Sequence, residues 1–360
     1  MDVDFLILGR GLAGCLLADA LLQGGQRVVV VGDNRASSSA VAAGLFNPVT
    51  GRRPKKTWLA DELFPFLHHY YPGLERRLDA RFFNPSPLYR PFGSIEEQNA
   101  GLALTAAPEL QQFLRVSTED AAYAPTVRNE LGGLMAQQAG WLDVPAMLSA
   151  FRRRFLALNI LQETTFDFNE LTVNENNVAW RSLRAAKLVC CEGAYATENP
   201  YFRWLPFAPA KGETITIRCG GDSVEGLVPP GIVNRGVWLI PRSDGLCRVG
   251  ATYSWDPLDW EPSETGKVFL MDKLNVWFKS SYEVVEHQAG VRPAVQGRRP
   301  LIGLHPEFAA MGIFNGLGSK GVSLAPFFAQ QFAGFLLDGK ELDPAANINR
   351  FFSLYSSVNL

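Results

Sequence analysis

The sequence predicts an α/β protein, α+β overall, in which a parallel sheet is interleaved with a separate antiparallel one. Three observations carry this. The stretch "GRGLAG" at 9–14 lies between a short apolar run and a helical pattern. Near the C-terminus "NGLGSKG" at 315–321 repeats that arrangement, and segments within 212–255 alternate apolar with polar residues. At 360 residues the chain exceeds the usual single-core size, so two joined domains are expected. Hydrophobic residues at 47% and charged residues at 19% exclude disorder, and 33 Gly with 23 Pro point to many loops.

"DFLIL", bounded by Asp4 and Gly9, suits a central parallel strand buried on both faces. Leu12, Leu16 and Ala20, with Ala13, Leu17 and Leu21 beside them, then give helical spacing up to the stop signal Gly24-Gly25. "RVVVV" follows. Strand, turn, helix and strand within about 30 residues make a βαβ unit, whose right-handed crossover places its two strands side by side. Residues 61–135 mix aromatic, Pro and Gly signals and predict no definite element. Asp143 reads as the N-cap of a helix with Pro145 in its first turn. Strands are expected at 160–166, 171–174 and 178–180, with "NENN" as the turn of a hairpin. "AAKLVCC" is a further buried strand ending in a glycine turn. "GETITIRC", "GVWLIPR" and "CRVGATYSW" alternate like an antiparallel sheet with one covered face. The chain closes with strand, glycine-rich turn and helix. This order predicts one discontinuous domain from 1–80, 141–205 and 288–360, interleaved with a second from 81–140 and 206–287.

A net charge of −2 gives no global field toward nucleic acid or anionic lipid, so neither is an expected partner. "FRRRF" at 151–155 reads as a solvated helix face. In "GRRPKK", Arg52, Lys55 and Lys56 either bind an anionic group or keep a loop soluble. The five cysteines form no CxxC pair and no zinc-like cluster with His, so neither a metal nor a disulfide framework is expected. "MDVDFLILG" enters a strand at once, without a basic stretch or long apolar run, which predicts a cytoplasmic chain with no membrane span.

In the Gly9-x-Gly11-x-x-Gly14 pattern the first glycine permits a tight turn. The second lets a pyrophosphate approach the backbone, and the third allows close helix–strand packing. The helix start at Leu12 and Ala13 offers unpaired N–H groups and a partial positive charge. Seated between strand and helix, the pattern predicts a Rossmann-like dinucleotide site. The acid expected for the ribose, about 20 residues on, is displaced. Gly32 stands there, and Asp33 one place later is either that ligand or a turn residue.

Four further stretches resemble the FAD-dependent D-amino-acid oxidase superfamily, which includes glycine and sarcosine oxidases. "SSSAVAAGLFNP" at 37–48 looks like the loop that runs beneath the phosphates and beside the flavin. "KLVCCEGAYA" is similar to the strand-and-glycine segment that packs against the cofactor. "PFAPAKGETITI" with "WLIPRSDGLCRVGATY" resembles the substrate-domain strands. "AGVRPAVQGRRPLIG" with "NGLGSKGVSLAP" resembles the C-terminal signature. The matches run in family order from residue 4 to about 335.

The resemblance implies a Rossmann-like FAD-binding domain and an antiparallel substrate domain. Its cofactor contacts would be Ser38, Ser39, Ala43, Gly44 and Leu45 in the first loop and Gly193 and Ala194 in the second segment. Gly316, Gly318, Ser319, Lys320 and Gly321 would lie at a helix N-terminus near the flavin. No Cys or His occupies a position some relatives use for covalent attachment, so the FAD would be non-covalent. Arg292 in "GVRP" matches the arginine that grips a substrate carboxylate over the flavin; its alternative is a structural ion pair. "QGRRPLIG" departs from many relatives, which have an acidic or small pair before the proline. The implied reaction oxidises the C–N bond of a small amino acid or N-substituted amine, with the Cα–H turned toward flavin N5 and an imine hydrolysed afterwards. Two alternatives share the fold: action on an aminomethyl-carboxylate tRNA base, and flavin binding without turnover. Trp58 and Tyr253 either line a pocket or pack in the core, and core packing is expected for each.

Overall fold

Strand β1 (Asp2–Leu8), helix α1 (Leu12–Gln23) and strand β2 (Val28–Val31) form the expected βαβ unit, with β1 and β2 parallel neighbours. The computed structural model describes residues 1–51, 54–221, 224–225 and 228–358; Arg52 lies outside them. Helix α1 stops at Gly24, and Gly25 takes φ +76°.

Helix α2 (Ala60–Leu78) occupies part of the span that predicted nothing. Pro65 and Pro72 lie inside it, where proline ordinarily ends a helix. It persists because Leu63, Leu67, Tyr71, Leu74 and Leu78 form one buried stripe, each such side chain contributing about 2 kcal/mol. Two short strands follow, β3 (Leu88–Pro91) and β4 (Gly133–Ala136). Helix α3 (Val144–Ala157) begins as predicted, the Asp143 carboxylate accepting from Ala146 N–H.

Strand β5 is only Leu161–Gln162, shorter than the expected 160–166. The side chains beyond it serve a turn: Glu163 pairs with Arg10 and Arg152, and Thr165 donates to Asp33. Strands β6 (Leu171–Val173), β7 (Val178–Trp180) and β8 (Leu183–Cys190) follow. Next come β9 (Ala210–Gly221), β10 (Ile232–Arg235), β11 (Val237–Pro241) and β12 (Leu246–Gly250). Helix α4 (Glu264–Asn275) leads to β13 (Tyr282–Arg292), β14 (Leu301–Leu304), β15 (Met311–Asn315) and helix α5 (Gly321–Asp338).

Two main sheets result. In the first, β5, β2, β1 and β8 run parallel in that order, and β8 then forks. Its first half pairs antiparallel with β7, which leads to β6, and its last residues pair parallel with β15. Antiparallel β14 closes that edge. Helices α1, α2 and α5 bury their apolar faces together against this sheet. Because β1, β2, β8 and β15 are parallel, the turns that leave them gather at one edge, the usual ligand side of such sheets.

The second sheet has nine strands among the described residues. Its central order is β9, β12, β11, β10, β3, β4, and β13 lies along the far side of β9. Strand β13 continues unbroken through residue 288 to Arg292, opposite Ala210. One face is covered by Leu270 and Leu274 of α4, as the alternation predicts. Arg248 on β12 joins this sheet to the loop after β2: its guanidinium donates to the carbonyls of Val41 and Ala42 and to Gln288.

Candidate active site

The turn after β1 is built for close backbone approach. Gly9 has φ +112°, and a Cβ there would overlap the Cys191 carbonyl; a Cβ on Gly14 would overlap the Gly9 carbonyl. Gly11 is the N-cap of α1, with no side chain capping the helix and no acid in its first turn. Leu12 N–H donates to Ser39 Oγ at 3.2 Å. The remaining first-turn N–H groups have no acceptor within the helix, which leaves an anion site.

Ser38, Ser39, Ala43, Gly44 and Leu45 line the cavity beside this turn. Gly44 takes φ +72°, and a Cβ there would overlap the Leu142 carbonyl, so only glycine lets the loop pass this close. In the neighbouring turn after β8, Gly193 has φ +60° with nothing within 4 Å of a Cβ built on it, and Ala194 follows.

Asp33 also lines the cavity, but its carboxylate serves the turn. It accepts from Arg35 N–H at 3.1 Å, pairs with Arg35 Nε at 2.8 Å and accepts from Thr165 Oγ1 at 3.1 Å. A second acid, Glu192, faces the same cavity and accepts from Asn199 Nδ2. Burial pushes its carboxyl up to about 7. Sequence reading missed it; the signal was an acid ending an apolar strand directly before Gly193.

At the other end Gly316 (φ +73°) and Gly318 (φ +53°) turn the chain into α5. Lys320 is the N-cap, again with no side-chain cap and no acid in the first turn. A Cβ on Gly321 would stand 2.9 Å from Leu12 Cδ2, so the N-termini of α1 and α5 open side by side. Ser319 lines the cavity at this turn. Lys320 Nζ reaches Thr57 Oγ1 at 3.4 Å, and burial, with the charges of Arg299 and Arg298, holds its ammonium below the usual range.

Arg292, at the end of β13, makes no ion pair with a described carboxylate. Its Nη1 donates to Lys211 O at 3.1 Å and Nη2 to Thr252 O at 3.0 Å, while Cζ lies 5.0 Å from the Tyr253 ring centre. A Cβ on Gly212 would overlap the guanidinium, so that glycine is the floor on which it lies. Burial lowers its pKa. Tyr253 is 45% exposed and lines the cavity, which corrects its expected core role: the ring covers Arg292 and meets Trp255 edge-on. Trp58 also lines the cavity while its other face stacks on Phe328.

All these groups surround one cavity of about 1510 Å³, larger than the roughly 300–1,000 Å³ of ordinary small-molecule sites. Of the predicted site residues only Gly14 is not in its wall; it lies behind Gly9, where α1 meets the strand. Lys55 and Lys56 reach the cavity, the latter paired with Asp61. Arg298 and Arg299, a sequence departure without an assigned role, are in the wall too. Among the described residues no helix is long and apolar enough to cross a membrane.

Comparison with known proteins agrees with this geometry. The family model described as FAD dependent oxidoreductase (DAO) matches residues 4–334. A glycine oxidase of Pseudomonas aeruginosa is 26% identical, covering 96% of this chain and 98% of its own. The tRNA 5-methylaminomethyl-2-thiouridine biosynthesis bifunctional protein MnmC of Marinobacter nauticus is also 26% identical, over 91% of this chain but only 54% of its own length. The crystal structure of glycine oxidase from Geobacillus kaustophilus superimposes with a TM-score of 0.77 at 20% identity, covering 97% of this chain and 98% of that one. The glycine cradle, the paired helix N-termini and the cavity size suit FAD. The chain belongs to the DAO family of FAD-dependent oxidoreductases, with FAD as its cofactor.

Proposed function

We propose that the chain oxidises the C–N bond of a small amino acid or N-substituted amine that carries a carboxylate. The observation that carries this reading is Arg292, a cavity-wall guanidinium with no described carboxylate beside it. Two of its donors are tied to carbonyls, and of the five a guanidinium has, three remain for a planar anion. The two carbonyls fix the fork before a ligand arrives, so little rotamer entropy is lost on binding. Holding the carboxylate there orients the adjacent Cα–H, a positioning effect able to supply several kcal/mol of the barrier.

FAD supplies the two-electron acceptor when bound. Its pyrophosphate would be held by the first turn of α1 with Gly9 and Gly11, and its loops by Ser39, Gly44 and Gly193. The first turn of α5, with its unpaired N–H groups, favours negative charge beside it. The FAD would be non-covalent, with Glu192 as the cavity acid free to meet the ribose, since Arg35 and Thr165 already hold the Asp33 carboxylate.

Arg292→Ala is expected to lower kcat/KM for a carboxylate-bearing amine by about 100-fold or more, through a raised KM and a lowered kcat together, with Arg292→Lys in between. Steady-state kinetics on FAD-loaded protein check this; an unchanged kcat/KM in the alanine variant would remove the assigned role. A second reading, action on a modified tRNA base, is favoured by the similarity to MnmC. Salt-dependent retention of tRNA by the purified protein would support it.

A further inference from the structure

Several arginines on this protein's surface have an acid beside them. Arg27 pairs with Asp4, Arg152 with Glu163 and Arg181 with Glu170, the last two at 2.7 and 2.6 Å. Arg298, Arg299 and Lys320 have no such partner and lie together in the cavity wall: none has a described carboxylate within 4.0 Å.

The fold holds these cations close together against their own repulsion. Lys320 feels the charges of both Arg299 and Arg298. Gly297 (φ +77°) and Arg298 (φ +53°) are successive left-handed residues, a turn that brings Arg298 to the cavity at a backbone cost a non-glycine residue rarely bears. The Arg299 guanidinium lies 4.3 Å over Trp58, itself braced by Phe328. Behind them, Arg350 donates to the carbonyl of Pro300 at 2.8 Å. Like charges gathered and braced in a cavity wall, without acids to neutralise them, lower their energy by taking up an anion.

Arg292 has a different set of partners. It is seated on Thr252, Tyr253 and Gly212, whereas Arg299 and Lys320 face Trp58 and Thr57. The same cavity therefore holds two separate cationic loci.

Building on the proposed function, we infer that Arg298, Arg299 and Lys320 form a second anion subsite, and that the substrate is an amine bearing two separated anionic groups. One group is the carboxylate on Arg292. The other is a second carboxylate or a phosphate, taken by the locus beside Trp58.

The test uses inert acids and the FAD-loaded protein, reading the flavin difference spectrum on titration with butyrate, glutarate and 3-phosphonopropionate. Glutarate is expected to bind about tenfold tighter than butyrate, the gain from one added charge-assisted contact. If 3-phosphonopropionate exceeds glutarate the second group is a phosphate; the reverse order makes it a carboxylate. In Arg298→Gln and Arg299→Gln the ratio between the dianion and butyrate should fall toward one, with Arg299→Lys retaining part of it. Equal binding of all three acids by the wild type overturns the second subsite while leaving Arg292 in place. Loss of butyrate and glutarate alike only in Arg292→Ala, with the ratio unmoved in the Arg298 and Arg299 variants, overturns it as well. No binding of any acid, with the spectrum otherwise that of bound flavin, counts against both loci.

Discussion

Glu192 shows how a single side chain sets a pH dependence. Its carboxyl is pushed up to about 7 by burial, against 4.5 in an exposed chain. Between those values the unfolded chain has released a proton that the folded protein retains. Stability is therefore fully present below about 4.5 and falls as pH rises through 7. Glu192→Gln removes the titrating group and keeps an acceptor for Asn199. Melting temperatures measured from pH 5 to 8 should show the variant gaining on the wild type as pH rises; a constant difference would mean that Glu192 is ionised throughout. The residue was missed because an acid at a strand end reads as surface, and only the fold shows it facing a cavity. Asp33 illustrates the converse. Its displaced position left two roles open, and the structure shows its carboxylate held in the turn by Arg35 and Thr165.

Among elements, those with one clear period were legible and those with interruptions were not. The β1–α1–β2 unit, the Asp143 cap, and the strand, turn and helix of β15 and α5 follow from local signals alone. Helix α2 was hidden by Pro65 and Pro72, although Leu63, Leu67, Tyr71, Leu74 and Leu78 carry its spacing. What sustains it is tertiary: Tyr71 Oη donates to Val322 O at 2.6 Å, and Phe66 meets Phe327 edge-on. It is also tied to α1 through Asp19, a fully buried carboxylate that accepts from Arg77 at 2.9 Å and Gln23 at 2.8 Å. Asp19→Ala leaves Arg77 without its partner and should cost about 3 kcal/mol, read as a lower urea midpoint. A midpoint within error of the wild type would show the pair to be dispensable for joining the two helices.

Across the whole molecule the site exists because four parallel strands end at one edge and the antiparallel sheet is pinned above it. Arg248 makes that junction, reaching from β12 to the loop beside the cofactor cradle, and burial lowers its pKa. Nothing local in "CRVGATY" announces such a long-range contact. The resemblance singled out Arg292, which lines the cavity, whereas the grouping of Arg298, Arg299 and Lys320 in its wall needed three dimensions. Oxidation of a carboxylate-anchored amine is read from the visible spectrum of the FAD-loaded protein under anaerobic conditions, before and after a pool of D- and N-methyl amino acids. Loss of the oxidised-flavin bands with the pool, and their persistence with the matching amines that lack a carboxylate, is the predicted result. Bands that survive the pool, or bleach equally with the decarboxylated amines, would contradict oxidation of a carboxylate-anchored amine.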